Sequence, residues 1–311
     1  MGTVLGCFQC RLIVYDEIMD WSSISQQLSA ALGRPFQVER ESSIGGGCIN
    51  AAWRIEGGGQ HYFVKLNSAN RLDMFAAEME GLQAMAAADA IRVPEPICYG
   101  AAGAQSFLVM EYLELGGGGG NVMAEFGRQM SGLHRHTRAD FGWSRDNTIG
   151  STHQPNTPEH DWLTFWRQQR LGFQLELAAR AGAGGRLLNK GDKLLDGMGA
   201  FFTDYQPVAS ALHGDLWSGN YAILHNGEAV IFDPAFYFGD READLAMTEL
   251  FGGFGRDFYA AYSEAWPLDS GYPVRKTLYN LYHILNHFTM FGGGYGSQAE
   301  SMIDRLLGEI H

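Results

Sequence analysis

Apolar and polar residues alternate in short runs through the first third of the chain. Residues Phe36 to Ile44 and Ile49 to Ile55 predict two strands around a glycine turn. His61 to Leu66 predicts another, with His61, Phe63 and Lys65 on one face and Tyr62, Val64 and Leu66 on the other. Leu72, Phe75, Ala76, Met79, Leu82 and Ala86 then recur at helical spacing. At about 100° per residue, Glu78 falls at the edge of that apolar arc and Glu80 points further away. The apolar run Ser106 to Leu113 predicts a buried strand that passes into Gly116 to Gly120.

Beyond the glycine run the period becomes helical. Val122, Phe126, Met130 and Leu133 make one amphipathic helix, and Arg138 to Asp161, rich in Asn, Thr, Pro and His, predicts an irregular insert. Helices follow over Asp161 to Ala181 and Arg186 to Phe202. Val208 to Leu212 leads into a polar loop; Tyr221 to Leu224, the turn His225 to Glu228, and Ala229 to Phe232 predict a β-hairpin. Further helices are expected over Asp240 to Leu250, Asp257 to Ala265, Val274 to Phe291 and Gln298 to Ile310, with no internal repeat. The expectation is an α+β chain: an N-terminal extension over 1–20, a sheet-rich lobe with one main helix over 21–113, and a larger, mostly helical lobe over 114–311.

Candidate chemistry concentrates in the loop before the hairpin. His213 to Asn220 reads HGDLWSGN, and Asp233 follows the hairpin in VIFDPA. A carboxylate on a tight loop, an amide five positions later and a second carboxylate after a short strand suit phosphoryl transfer with Mg²⁺. In that reading Asp215 is the base that accepts the proton of an attacking hydroxyl, and Asn220 and Asp233 hold the metal. Gly214 and Asp215 as plain turn residues are the bland alternative. A metallohydrolase with His213, Asp215, His225 and Asp233 as ligands is another, weakened because His225 falls at the hairpin tip.

A nucleotide cradle is expected from the first lobe. Gly45, Gly46 and Gly47 lie between two predicted strands, where absent side chains let backbone approach phosphate. The chain has 41 glycines, so a glycine run alone is weak. Lys65 strengthens it as a point charge for α and β phosphates, with Glu78 as its partner. Met110, Glu111, Tyr112 and Leu113, at a strand end before a connector, suit main-chain contacts to adenine. ATP and Mg²⁺ are therefore the expected cofactors.

These residues carry a resemblance. The order GGGCIN, VKL, FAAEMEGL, VMEYL, LHGDLWSGN, DPAFYFGDREADLAMTELFGGF and LNHF resembles the fructosamine (ketosamine) kinase family, in the aminoglycoside and choline kinase-like branch of the protein-kinase-like fold. Protein kinases carry an arginine before the catalytic aspartate, where this chain has Gly214. The resemblance implies a two-lobed fold and ATP-dependent phosphorylation of the 3-hydroxyl of ketosamines, free or on glycated protein, which makes the adduct labile. It implies the same roles for Asp215, Asn220, Asp233, Lys65 and Glu78. It also implies substrate contacts for Trp217, whose alternative is packing, and for His287, whose alternative is a satisfied core or surface histidine. Asp244 is expected to anchor the catalytic loop backbone. Cys48 is either a redox switch, since the family often has a cysteine there, or an inert small residue. A kinase of the same fold acting on an aminoglycoside, choline or a sugar, and a nucleotide-binding regulator without catalysis, are the competing functions.

Composition narrows the setting. With 311 residues, 46% hydrophobic and 18% charged, the chain can bury a large core. Four cysteines are too few for a disulfide scaffold, Cys7 and Cys10 lack the second pair of a zinc site, and Cys98 is expected in the core. No apolar stretch has membrane length and no signal segment opens the chain, so no membrane partner and a cytoplasmic location are expected. A net charge of −13 argues against a nucleic-acid partner. The expected assembly is a monomer or homodimer.

Overall fold

The computed structural model describes residues 19–45, 49–116 and 121–310. Its backbone separates into two compact units, Met1–Met79 with Glu95–Leu113, and Glu80–Pro94 with Glu114–His311.

The first unit opens with helix α1 (Trp21–Leu32), capped where Asp20 accepts a hydrogen bond from Ser23 N at 3.0 Å and stopped by Gly33 at φ 65°. Strands β1 (Arg40–Ile44), β2 (Ala51–Gly57) and β3 (Gln60–Ser68) precede helix α2 (Leu72–Ala87), which belongs to this unit as far as Met79, and β4 (Pro96–Ala102) and β5 (Gln105–Glu111) follow it. The sheet is antiparallel in the order β1-β2-β3-β5-β4. Gly58 and Gly59, at φ 56° and 74°, make the tight β2–β3 turn that requires two left-handed residues. Ile24 and Leu28 of α1 pack on Ile55, Val64, Leu66, Phe107 and Val109 of the sheet, all essentially sealed from water. Each such side chain contributes about 1.5–3 kcal/mol on burial.

The sequence expectation for 36–44 is corrected: only Arg40–Ile44 is a strand. Before it, the Ser29 hydroxyl accepts from Phe36 N (2.9 Å) and the Ser25 hydroxyl from Val38 N (3.1 Å), so these backbone donors are held by α1 side chains rather than by a strand. The second strand likewise starts at Ala51 and runs on to Gly57.

The second unit contains helix α3 (Val122–His134), a small hairpin of β6 (Asn147–Ile149) and β7 (Thr152–Gln154), and helix α4 (Trp162–Phe165), which continues through a π-helical turn, Trp166–Leu171, into α5 (Gly172–Arg180). Helix α6 (Gly185–Gly197), strands β8 (Ser210–Leu212), β9 (Tyr221–Ile223), β10 (Ala229–Ile231) and β11 (Tyr237–Gly239), and helices α7 (Arg241–Leu250), α8 (Arg256–Ala265), α9 (Tyr272–Phe291) and α10 (Tyr295–Gly308) complete it. Its 138–161 stretch, expected to be irregular, therefore holds a paired hairpin. Phe126 of α3 anchors an aromatic core, with Tyr221, Phe254 and Phe258 at ring-centroid distances of 5.1, 5.5 and 5.1 Å. Among the described residues no helix is long and apolar enough to cross a membrane.

Candidate active site

Pairing of Leu212 with Tyr237 between β8 and β11, and of Tyr221 with Ile231 between β9 and β10, lays the loop 213–220 beside the segment 232–236. Two backbone bonds stitch them: Ala235 N donates to His213 O (2.9 Å) and Phe232 N to Asn220 O (3.0 Å). The approach is so close that a Cβ on Gly214, which also sits at φ 82°, would lie 2.1 Å from Ala235 O. No other residue type fits there.

The fully buried His213 bridges the same two segments. Its Nε2 lies 2.9 Å from Phe232 O, an acceptor only, so Nε2 carries the proton and Nδ1 accepts from Asp215 N at 3.2 Å. Asp244 on α7 secures the loop from beneath. Its Oδ2 accepts from His213 N (2.7 Å) and its Oδ1 from Gly214 N (2.8 Å), the anchoring expected of it. Burial alone would raise the Asp244 pKa, but the His134 hydrogen bond and charge, with His213 and the Gly214 amide, bring it below the usual value.

Asn220 turns its Nδ2 onto Asp215, donating to the backbone O at 2.9 Å and to Oδ2 at 3.3 Å. Its Oδ1 is thus the atom it can offer to a cation. The Asp215 carboxyl is pushed up to about 7, first by desolvation and then by the charge of Asp233, with the Asn220 bond pulling the other way. Asp233 is exposed and holds a left-handed backbone at φ 59°, a conformation that costs a non-glycine residue about 1–3 kcal/mol.

In the first unit Lys65 and Glu78 form a buried ion pair, while in the second Glu80 pairs with Arg145 at 2.6 Å. Register explains the lysine: opposite Ala52 and Leu108 it shares the face of small or apolar neighbours that shield its charge. Met110 is buried at the end of β5, and Tyr112 meets His61 edge-on at 5.7 Å with the Arg54 guanidinium 4.8 Å from its ring. Among the described residues, a Cβ on Gly45 would meet no atom within 4 Å. Gly46, Gly47 and Cys48 lie outside the described residues.

An aromatic row runs from the loop 213–220. Trp217, 38% exposed, faces Phe251 at 6.4 Å; Phe251 faces His287 at 5.2 Å; and His287 contacts Tyr295 at 5.1 Å and Phe291 at 5.6 Å. Gly252 and Gly253, at φ 107° and 74°, turn the chain so that Phe251 joins this row while Phe254 enters the core. His287 Nδ1 lies 2.8 Å from His283 O, so Nδ1 donates and Nε2 presents a lone pair; burial lowers its pKa, keeping the ring neutral.

Sequence reasoning missed His134. Its Nε2 reaches Asp244 at 3.2 Å and its Nδ1 reaches the Tyr262 hydroxyl at 2.7 Å. The signal was present, because His134 continues the row of Phe126 and Met130 on the buried face of α3, where a titratable side chain needs a partner. The hydrolase alternative finds no support: His213 spends one ring nitrogen on Asp215 N and the other on Phe232 O, and no group of three His, Cys, Asp or Glu side chains suited to a metal occurs among the described residues.

The family model described as fructosamine kinase matches residues 20–309. The chain belongs to the fructosamine kinase family. A probable ketoamine kinase of Synechocystis is 49% identical, covering 92% of this chain and 97% of that protein. A chloroplastic protein-ribulosamine 3-kinase of Arabidopsis thaliana is 43% identical over 88% of this chain and 85% of its own. A solved structure from Haemophilus somnus, described as a candidate fructosamine-3-kinase, superposes with a TM-score of 0.85 at 30% identity, covering 92% of this chain and 97% of that one. The fold is protein-kinase-like, and membership makes the chain a phosphotransferase that uses ATP and acts on a hydroxyl.

Proposed function

We propose that this fructosamine kinase family member transfers the γ-phosphoryl group of ATP to the 3-hydroxyl of ketosamines, sugar adducts on small amines or on protein. The observation that carries the reading is the Asp215 carboxylate, half-buried and held by Asn220 on a loop that Asp244 fixes. A carboxyl whose pKa lies near neutrality is matched to general-base work. Asp215 takes the hydroxyl proton as the oxygen forms its bond to phosphorus, and the bond from phosphorus to the departing ADP oxygen breaks.

The donor set fits Mg²⁺, which needs only one or two carboxylates beside substrate phosphates and water. The Asp233 charge that raises the Asp215 pKa is the charge a divalent ion would offset. Asn220 Oδ1 and Asp233 would hold the ion, which when bound neutralises charge on the transferred phosphoryl group. Lys65, oriented by Glu78, would neutralise α and β phosphate oxygens; Gly45 with Gly46 and Gly47 would cover them; and Met110, Glu111, Tyr112 and Leu113 would receive adenine. Trp217 offers an indole face to the sugar or its amine, and His287 Nε2 an acceptor for a substrate hydroxyl or ammonium.

The test is ATP consumption with fructosamine, ribulosamine, choline and kanamycin, with the product located by phosphorus NMR. Turnover of a ketosamine to its 3-phosphate is expected. Asp215→Asn should lower kcat by about 10²–10⁴-fold while ATP affinity persists. Turnover confined to choline or kanamycin, or an unaffected Asp215→Asn variant, would overturn the reading.

A further inference from the structure

The segment that follows Asp233 is held from a second side by groups the proposed chemistry does not use. Its amide at Ala235 bonds to the catalytic loop, as described, but its carbonyls face the β6–β7 hairpin. Asn147 Nδ2 donates to Phe236 O at 2.7 Å, and Gln154 Nε2 donates to Ala235 O at 3.2 Å. Both side chains are buried, as are Asn156, Arg170 and Tyr282 behind them.

The network has one polarity. Arg170 has donors only, and its Nη2 bonds to Asn156 Oδ1 at 2.6 Å, which turns Asn156 Nδ2 onto Asn147 Oδ1 at 2.9 Å. Gln154 Nε2 donates to the same Asn147 Oδ1 at 2.8 Å, and Tyr282 donates to Gln154 Oε1 at 2.6 Å. Asn147 is thereby left with only its Nδ2 for Phe236 O, an obligate acceptor. Each amide can face one way alone. Arg170, at the head of the network, lies between the rings of Phe165 and Tyr237, 4.6 and 4.0 Å from their centroids. Such an oriented, buried network specifies one position for the backbone it grips.

That position matters because Asp233 holds a left-handed backbone, which persists only where the surroundings over-determine it. We propose that Asn147 and Gln154 are positioning residues that hold the Asp233 carboxylate where it can grip the metal, acting through the carbonyls of Ala235 and Phe236. The inference rests on the reading of Asp233 as a metal ligand.

The decisive measurement is Mn²⁺ affinity in the presence of ADP, from free Mn²⁺ by electron paramagnetic resonance, which needs no turnover. Asn147→Asp keeps the shape and the acceptor atom but sets an oxygen against Phe236 O; it should weaken Mn²⁺ binding about tenfold and raise half-saturating Mg²⁺ for turnover in parallel. The KM for ribulosamine should stay within about twofold, since uniform substrate binding is untouched. Gln154→Met, which keeps the volume and loses the donor, should give the same pattern more weakly and covers the case that Asn147→Asp does not fold. Both variants losing thermal stability with unchanged Mn²⁺ affinity would overturn the inference. Asp233→Asn separates the two levels: if it abolishes Mn²⁺ binding while the network variants leave Mn²⁺ affinity unchanged, only the positioning role fails. If Asp233→Asn itself leaves Mn²⁺ affinity intact, the metal reading fails and takes the inference with it.

Discussion

At the scale of single residues, the loop 213–220 is secured by one carboxylate that spends both oxygens on backbone. Asp244 accepts from His213 N and Gly214 N and is met by His134 from α3. An asparagine there has the same shape but must point an amide at one of these donors, and an unsatisfied buried donor costs about 1–3 kcal/mol. Asp244→Asn should therefore lower the melting temperature and also kcat, because the Asp215 carboxylate would lose its fixed frame, while both substrate KM values change little. A variant with wild-type kcat would show that the loop holds its shape without Asp244. Asp244 was read as the anchor of the loop from its place in the helical stretch after Gly239. His134 was not read, because periodicity marks a buried position without naming the partner that makes burial tolerable.

The elements differ in how far pattern alone defines them. Helix α2 follows its apolar period, with Phe75, Ala76, Leu82 and Met85 buried, and the β9–β10 hairpin forms where its two short apolar runs predict it, with all three residues of β10 buried. The β6–β7 hairpin did not stand out: its strands read Asn-Thr-Ile and Thr-His-Gln, with Ile149 the one apolar residue, and the buried amide network that helps to stabilise it is encoded by no local period. The π-helical turn at Trp166–Leu171 was hidden for a related reason, since it interrupts a segment whose composition is helical throughout. Helix α9 carries a titration that its apolar pattern does not announce. His283 is buried, and desolvation pushes its pKa down to about 3. The unfolded chain binds a proton near pH 6.5 where the folded one does not, so this residue's destabilisation is absent above that pH and grows as pH falls toward 3. The slope is at most about 1.4 kcal/mol per pH unit. His283→Gln should accordingly lose less melting temperature than wild type between pH 7 and pH 5; equal losses would mean that the histidine is hydrated in the folded state.

For the whole molecule, the governing quantity is an excess of acid: 35 Asp and Glu against 22 Lys and Arg, a net charge of −13 at pH 7. Many of the exposed pairs that offset it locally, such as Arg180 with Glu176 at 3.6 Å, are solvent-screened contacts worth little, whereas the like charges repel over the full surface. Salt acts on both, but on the long-range repulsion more strongly, because the screening length shrinks from about 30 Å at 0.01 M to about 10 Å at 0.1 M. Adding sodium chloride across that range should thus raise the melting temperature at pH 8. Near the sequence pI of about 5.1 the net repulsion vanishes and only screened attractions remain, so the same salt should leave the melting temperature level or lower it. Calorimetry at the two pH values decides the matter. A salt-induced rise of the same size at both would show that the gain comes from ion exclusion or specific binding, and that surface charge does not set the stability of the folded chain.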